Sequence, residues 1–202
     1  MNKMNPISLA LGFALVSVAP SALAQSADPA AGTVETLHNA LLSIMHAGTA
    51  AGQAGRARQI APAVDRTFDV PQMTRLAVGP GWTGIAPADQ TALVAAFRSM
   101  TIAQYAKNFD SFSGERFVMT PQVETRGGDK LVRTTLVVPR GNPESLGYRL
   151  RQSGGQWKII DVYYRNSISQ LATRRADFAR VLATGGAKAL VAHLNELAAR
   201  PR

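Results

Sequence analysis

Asp161 is a candidate catalytic residue, because it is a carboxylic acid that the sequence places among apolar side chains. It lies in the middle of a predicted strand, Trp157–Tyr164, among tryptophan, isoleucine, valine and tyrosine side chains. The strand pairing described below places it opposite Tyr148. A carboxyl group held in an apolar pocket has a raised pKa, and beside a tyrosine it could transfer protons on a hydrophobic substrate. Asp161 and Tyr148 are therefore a candidate acid–base pair of an enzyme that acts on a hydrophobic substrate.

The alternative role of Asp161 is structural. A buried carboxylate needs hydrogen-bond donors, which Tyr148, Arg98 or Arg75 could supply, as could the start of a neighbouring helix. Single buried acids are more often anchors of this kind than catalytic groups. We favour the structural role, with Tyr148 as the donor, and keep catalysis as a testable alternative.

Other catalytic patterns are missing from the sequence, which has no Gly-x-Ser-x-Gly elbow, no phosphate-binding loop and no cysteine. His38, His46 and His193 have no second ligand at metal-binding spacing. We therefore expect surface or core-edge histidines, no metal site and no cofactor. The Arg174-Arg175 pair could hold a phosphate, although such pairs more often form a solvated helix face.

The N-terminus has the pattern of a secretory signal peptide. Lys3 precedes an apolar run, Ile7–Ala19, and Ala22-Leu23-Ala24 supplies the small residues of a cleavage site. The run is too short to span a bilayer, and no later stretch approaches the ~20 apolar residues that a span needs. We predict a signal peptide over residues 1–24, with cleavage after Ala24 and export of the mature chain.

The remainder reads as a linker, residues 25–32, followed by a single domain, residues 33–200. An exported domain without cysteine must be stabilised by its core. The chain carries a net charge of +9 at pH 7. Its basic residues are scattered rather than interleaved with aromatic ones, which favours transient contact with an anionic membrane surface and argues against nucleic acid.

The order of elements predicts an α+β fold. Four helical segments precede Gly114, the hydrophobic period then changes from 3.6 to 2, and two helices separated by Gly185-Gly186 follow. We predict a four-stranded antiparallel sheet that is covered on one face by the helices. The predicted strands are Phe117–Thr125, Lys130–Val138, Leu146–Arg151 and Trp157–Tyr164.

Two glycine pairs predict tight hairpin turns and thereby the pairing of strands. Closing the first turn at Gly127-Gly128 pairs Val123 with Val132, Pro121 with Thr134, Met119 with Leu136, and Phe117 with Val138. Closing the second at Gly154-Gly155 pairs Leu150 with Ile159, Tyr148 with Asp161, and Leu146 with Tyr163. These pairs lie on the covered face. Val162 and Tyr164 fall on the other, partly wet face.

An apolar sheet face roofed by helices could enclose a cavity for a lipid, or it could pack into a solid core, and periodicity does not distinguish the two. If a cavity is present, its predicted lining consists of apolar residues from both layers. The candidates are Phe97, Met100, Tyr105, Phe109, Phe117, Met119, Val132, Leu136, Tyr148, Leu150, Ile159, Tyr163, Ile168 and Leu171.

Three stretches resemble the MlaC family of periplasmic toluene-tolerance proteins, which are auxiliary components of ABC-type lipid transport. They are FDVPQMTRLAVGPGW, FRSMTIAQYAKNF and GGQWKIIDVYYRNSISQLATRRADFARVLATGGAKALVAHL. The resemblance covers about Val34 to Leu197, and its most recognisable part is Trp157 and Asp161 followed by Ile168-Ser169. The last stretch is more similar to the hopanoid-biosynthesis-associated HpnM branch than to the phospholipid carriers.

The resemblance implies an NTF2-like fold with a deep cavity for lipid tails. It also implies that a phospholipid or hopanoid-type lipid passes from an inner-membrane ABC transporter with an MCE-domain subunit to an outer-membrane assembly, or back. The family has no catalytic residues to transfer to this chain. The expected function is a periplasmic lipid carrier. The alternatives are an enzyme of the same fold that acts on an isoprenoid or polycyclic lipid through Asp161 and Tyr148, and an interaction subunit with a solid core.

Overall fold

The computed structural model describes residues 28–200 of the chain. The described residues form five α-helices, six β-strands and two short 3₁₀ segments. The helices are α1 (Pro29–Ala47), α2 (Gly52–Thr67), α3 (Val70–Val78), α4 (Pro87–Asn108) and α5 (Gln170–Ala199). The strands are β1 (Arg116–Met119), β2 (Glu124–Arg126), β3 (Asp129–Val137), β4 (Glu144–Ser153), β5 (Gln156–Tyr164) and β6 (Ile168–Ser169).

The predicted signal peptide, residues 1–24, lies outside the described residues, as does the first part of the predicted linker. Helix α1 begins at Pro29, so the end of that linker is helical. The cause is local. The Asp28 carboxylate accepts a hydrogen bond from the Ala30 N–H at 2.9 Å, and proline suits the first helical turn.

Similar caps begin two of the helices that border the cavity. Asp69 accepts from the Gln72 N–H at the start of α3, and Ser169 accepts from the Ala172 N–H at the start of α5. Gly186 has a φ of 65° and non-helical backbone angles, so α5 consists of two helical segments that meet at a kink. The predicted separation of two C-terminal helices at Gly185-Gly186 is therefore present as this kink.

The sheet is antiparallel in the order β1-β3-β4-β5-β6, with β2 also paired to β3. The predicted number of four strands is wrong. The predicted first strand is interrupted after Met119, and β1 and β2 pair separately with β3. The hairpin at Gly127-Gly128 closes as predicted, with Glu124 opposite Leu131. Beyond the interruption, Phe117 lies opposite Leu136 rather than Val138, which is a shift of two residues that preserves the face.

A β-bulge makes the pairing of β4 with β5 differ from the prediction. Leu150 pairs with Ile159 as predicted, but Arg149 pairs with Asp161, so Ile160 is an extra residue in β5. Beyond the bulge, Tyr148 lies opposite Val162 and not opposite Asp161. Because side chains alternate along a strand, one extra residue exchanges the faces of everything after it.

The helices cover one face of the sheet, as predicted, and the core lies between the two layers. Helices α1, α2, α3 and α5 all contact β5. No helix in residues 28–200 is long and apolar enough to cross a membrane. Buried core residues on the sheet and the opposing helices include Val34, Leu37, Leu41, Ile60, Val64, Leu93, Phe97, Met100, Val132, Leu150, Ile159, Phe178 and Leu190.

Candidate functional site

A cavity of about 590 Å³ lies between the sheet and helices α3, α4 and α5. Aromatic and aliphatic side chains form most of its wall. These are Met45, Phe68, Met73, Tyr105, Phe109, Leu136, Val138, Leu146, Tyr148, Val162, Tyr164 and Leu171. The polar lining residues are Thr101, Gln104, Asn108, Ser111, Glu115, Glu144, Gln170 and Arg174.

The predicted lining residues divide into those that contact the cavity and those that do not. Tyr105, Phe109, Leu136, Tyr148 and Leu171 line it. Others are buried in solid core instead, namely Phe97, Met100, Val132, Leu150 and Ile159. Phe117 and Met119 are partly buried and pack against that core. The predicted face is correct for these residues of β1, β3 and β4 and for Ile159, which precedes the bulge in β5. Periodicity carries no information on where along a strand the packing opens.

Two predicted lining residues lie elsewhere. Tyr163 lines a groove of about 260 Å³ outside the cavity, together with Arg126, Asp129 and Arg149. The bulge at Ile160 is the reason, because it exchanges the faces of the residues that follow it. Ile168 is 48% exposed, since the short strand β6 at the edge of the sheet leaves its side chain uncovered.

The same bulge explains two lining residues that the sequence analysis placed on the wrong face. Val162 and Tyr164 were expected on the wet face but line the cavity. Leu146 lines it as well, and its place on the covered face was already given by the predicted pairing. Phe68 could not be found from periodicity, because it follows helix α2 and reaches the sheet through a single parallel bridge to Ile159.

Asp161 is buried, with 3% of its surface exposed, and it does not line the cavity. Its carboxylate accepts hydrogen bonds from the Ser169 hydroxyl at 2.5 Å and from the Leu171 N–H at 3.0 Å. Tyr148 as its donor was wrong, and the start of a neighbouring helix supplies the donors instead. Asp161 therefore ties β5 to the first turn of α5, and the structure does not bring Asp161 and Tyr148 together as an acid–base pair.

Tyr148 is hydrogen-bonded to a histidine. Its hydroxyl lies 3.2 Å from Nε2 of His38, and the imidazole stacks on the Phe117 ring at a centroid distance of 4.0 Å. His38 was expected at the surface or the edge of the core but is 4% exposed. Burial lowers the pKa of His38 to about 4, so the ring is neutral at neutral pH.

The hydroxyls of Tyr148 and Tyr105 stay protonated. Burial raises the pKa of Tyr148 well above its usual value, and burial also raises the pKa of Tyr105, against the opposing effect of Arg174. Both rings can therefore donate hydrogen bonds but cannot act as bases at neutral pH. These groups make a polar but uncharged patch on an apolar wall.

Arg174 is the cation of the lining. The sequence pair Arg174-Arg175 was expected to form a solvated helix face, but the two residues separate. Arg175 is exposed and lies against Gly79, whereas Arg174 is half-buried between α4 and α5. Burial lowers the pKa of Arg174, which nonetheless remains a cation. Within residues 28–200, no group of three or more His, Asp or Glu side chains could hold a metal ion.

Together these features define a class: an α+β binding protein in which helices and an antiparallel sheet enclose a mainly apolar cavity. The chain belongs to the MlaC protein family, whose sequence profile matches residues 35–196. No match was found among curated protein sequences.

A solved structure supports the same assignment. The chain is similar to the phospholipid-binding protein from Ralstonia solanacearum, which was solved in complex with a phospholipid. The two are 25% identical, with a TM-score of 0.70, and the match covers 84% of this chain and 97% of the Ralstonia chain.

Proposed function

We propose that this protein is a periplasmic lipid carrier that holds lipid tails in the cavity and keeps the head group near the polar part of its lining. The observation that carries the proposal is the 590 Å³ cavity with its largely apolar wall. Cavities of roughly 300–1,000 Å³ are typical of sites for small ligands. A mainly hydrocarbon wall of this kind favours a hydrocarbon ligand over water.

The size of the cavity is suited to a lipid tail. A methylene group occupies about as much space as a water molecule, ~30 Å³, so roughly twenty such groups fit. Each methylene transferred from water into a dry site contributes ~0.8 kcal/mol. A single acyl chain or a compact polycyclic lipid would therefore be held strongly, while exchange with a membrane would cost little, because both environments are apolar.

Membership of the MlaC family and the phospholipid in the Ralstonia structure support a phospholipid as the cargo. A hopanoid-type lipid is the alternative cargo, and it rests only on the sequence resemblance to the HpnM branch. In the proposed mechanism the protein is the soluble component of an ABC transport system. It exchanges lipid with an inner-membrane complex that contains an MCE-domain subunit and with an outer-membrane acceptor. The net charge of +9 favours transient contact with anionic membrane surfaces.

Native mass spectrometry of the purified protein, followed by lipid extraction, tests the carrier function directly. We expect a bound lipid that survives purification and whose mass identifies the cargo. The blocking variant is Leu146→Trp, because Leu146 lines the cavity and a larger ring fills it. The matched control is Ser145→Trp, which places the same ring at the next residue of β4, on the opposite side of the strand.

The carrier proposal predicts that Leu146→Trp loses the lipid and that Ser145→Trp retains it. Lipid-free protein from every preparation, with no uptake from vesicles, would contradict the proposal. Retention of lipid by Leu146→Trp would show that the lipid binds elsewhere. Cell fractionation and N-terminal sequencing test export and cleavage after Ala24. Cross-linking in the native envelope tests the two membrane partners.

A further inference from the structure

Arg174 extends the carrier proposal, on which the following inference rests, from lipid tails to the head group. Arg174 lies on the first turns of α5, on the same side as Leu171, and both line the cavity. Its Nη1 donates to the sulfur of Met100 at 3.0 Å, and its Nη2 donates to Oε1 of Gln104. Its guanidinium also lies 5.5 Å from the centre of the Phe97 ring.

These neighbours hold the guanidinium in place without neutralising it. A thioether sulfur is a weak acceptor, an amide oxygen is uncharged, and a guanidinium has five N–H donors. Arg174 has no ion-pair partner within residues 28–200. Buried charges in proteins are normally paired, because a cation without an anion loses hydration and gains little in return.

The carboxylates near the cavity have other partners. Glu115 accepts from the N–H and the hydroxyl of Ser113. Glu144 faces Arg165 at 3.9 Å. Asp177, one turn along α5, pairs with Arg180 at 2.5 Å and with His193 at 2.9 Å. None of them forms an ion pair with Arg174, although the charge of Asp177 acts to raise the pKa of Arg174 against the effect of burial. The guanidinium can therefore still form an ion pair with an anionic group in the cavity.

We propose that Arg174 binds an anionic oxygen group of the cargo inside the cavity, with Gln104 positioning the guanidinium. The ligand class is therefore an acidic amphiphile, whose carboxylate or phosphate replaces the missing counter-ion while its hydrocarbon contacts the apolar wall. Charge-assisted hydrogen bonds to a guanidinium are strong and are often bidentate. A neutral lipid of equal length would leave Arg174 uncompensated and bind more weakly.

Three probes with one hydrocarbon chain test this inference: oleate, oleyl phosphate and oleyl alcohol. Their affinities for the delipidated protein are measured by displacement of a fluorescent lipid. We expect both anions to bind roughly 10- to 100-fold more tightly than the alcohol, which is the range of a hydrogen bond to a charged group. Whichever of the two anions binds more tightly shows whether the site prefers a fatty-acid carboxylate or a phosphate head group.

Arg174→Gln should remove the preference for the two anions over oleyl alcohol. Arg174→Lys, which keeps the charge without the fork of donors, should retain part of the preference. The matched control, Arg175→Gln, alters the neighbouring cation outside the cavity and should retain all of it. A wild-type protein that binds the three probes equally, or a preference that persists in Arg174→Gln, overturns the inference while leaving the carrier function intact. A protein that binds none of them overturns both.

Stability separates a ligand-binding arginine from a structural one. If the role of Arg174 is to bind the ligand, Arg174→Met should keep or raise the Tm of the lipid-free protein, because a half-buried charge without an ion-pair partner is replaced by an apolar chain. If Arg174 instead stabilises the fold through its hydrogen bonds to Met100 and Gln104, the same change should lower the Tm. A lowered Tm together with unchanged probe affinities would assign it to the fold and refute its binding role.

Discussion

The two ends of the covered sheet face differ, although their sequence pattern is the same. At one end Val132, Leu150 and Ile159 are fully or almost fully buried against helices. At the other end Leu136 and Leu146, on the same strands, line an open cavity. Alternation along each strand therefore defines a face, but the helices decide which part of that face is filled.

Helix placement accounts for the difference. At the filled end, α1 and α2 contact β5 directly and pack against each other. At the open end, α4 and α5 pack closely against each other, and the cavity lies between these two helices and the sheet. We therefore propose that the filled end stabilises the fold and that the open end binds the lipid.

The largest expected effect comes from a matched pair of substitutions on β4. Leu150→Ala at the filled end should lower the free energy of unfolding by ~2–5 kcal/mol, because a fully buried side chain leaves a cavity. Leu146→Ala at the open end should cost less than ~1 kcal/mol in lipid-free protein, because one side of Leu146 already faces empty space. Urea denaturation of delipidated variants measures both.

The amount of bound lipid should depend more on Leu146 than on Leu150, which is the opposite of their effects on stability. Under conditions in which Leu150→Ala is folded, it should bind as much lipid as the wild type. Leu146→Ala should retain less of the bound lipid. Equal destabilisation by the two variants would contradict the division of the sheet face into a structural end and a binding end.

The boundary between the two ends contains His38 and Tyr148, and it should be sensitive to pH. The pKa of His38 is lowered by burial to about 4, below its ordinary 6.5, so the native state favours the neutral ring. The neutral His38 ring therefore contributes to the free energy of unfolding. This contribution is fully present above pH ~6.5 and is lost as pH falls towards 4, because the unfolded chain then binds a proton that the native state does not bind. At ~1.36 kcal/mol per pKa unit, the loss is about 3 kcal/mol.

His38→Gln should flatten this part of the stability–pH profile, measured by urea denaturation between pH 7 and pH 4. His46→Gln is the control on the same helix, because His46 is exposed. A profile for His38→Gln that still falls as steeply as the wild type would show that His38 is not the titrating group.

Asp161→Asn should have a smaller effect. The substitution disturbs the hydrogen bonds from the Ser169 hydroxyl and the Leu171 N–H, so we expect a loss of ~1–3 kcal/mol. Lipid uptake should be unchanged, because Asp161 lies outside the cavity lining. Mass spectrometry of bound lipid before and after incubation would detect chemical conversion. Conversion by the wild type that Asp161→Asn abolishes would revive the enzyme interpretation.

Local signals made much of the fold predictable. Asp69 with Pro71, the two glycine pairs at the hairpins and the kink at Gly186 each act through nearby backbone geometry, and the structure has each of them. The α+β order and the covered face followed from the same kind of information.

The site was less predictable, because three of its features depend on contacts between distant segments. The bulge at Ile160 has no sequence signal, yet it moves Val162 and Tyr164 into the cavity. Phe68 reaches the lining through a bridge between remote residues. The separation of Arg174 from Arg175 depends on how α5 packs against α4. A period of two or 3.6 residues cannot encode such contacts.

The smallest expected effect concerns Ile168, which was predicted to line the cavity but is 48% exposed. Ile168→Ser removes an apolar side chain that water already reaches, so the free energy of unfolding should change by less than ~0.5 kcal/mol and lipid retention should not change. Leu171→Ser, three residues along, is the matched comparison, because Leu171 lines the cavity and its backbone is fixed by Asp161. It should release lipid during gel filtration while Ile168→Ser does not. Lipid loss from Ile168→Ser would mean that the open end extends past the edge strand β6, and the boundary drawn between lining and surface would have to move outward.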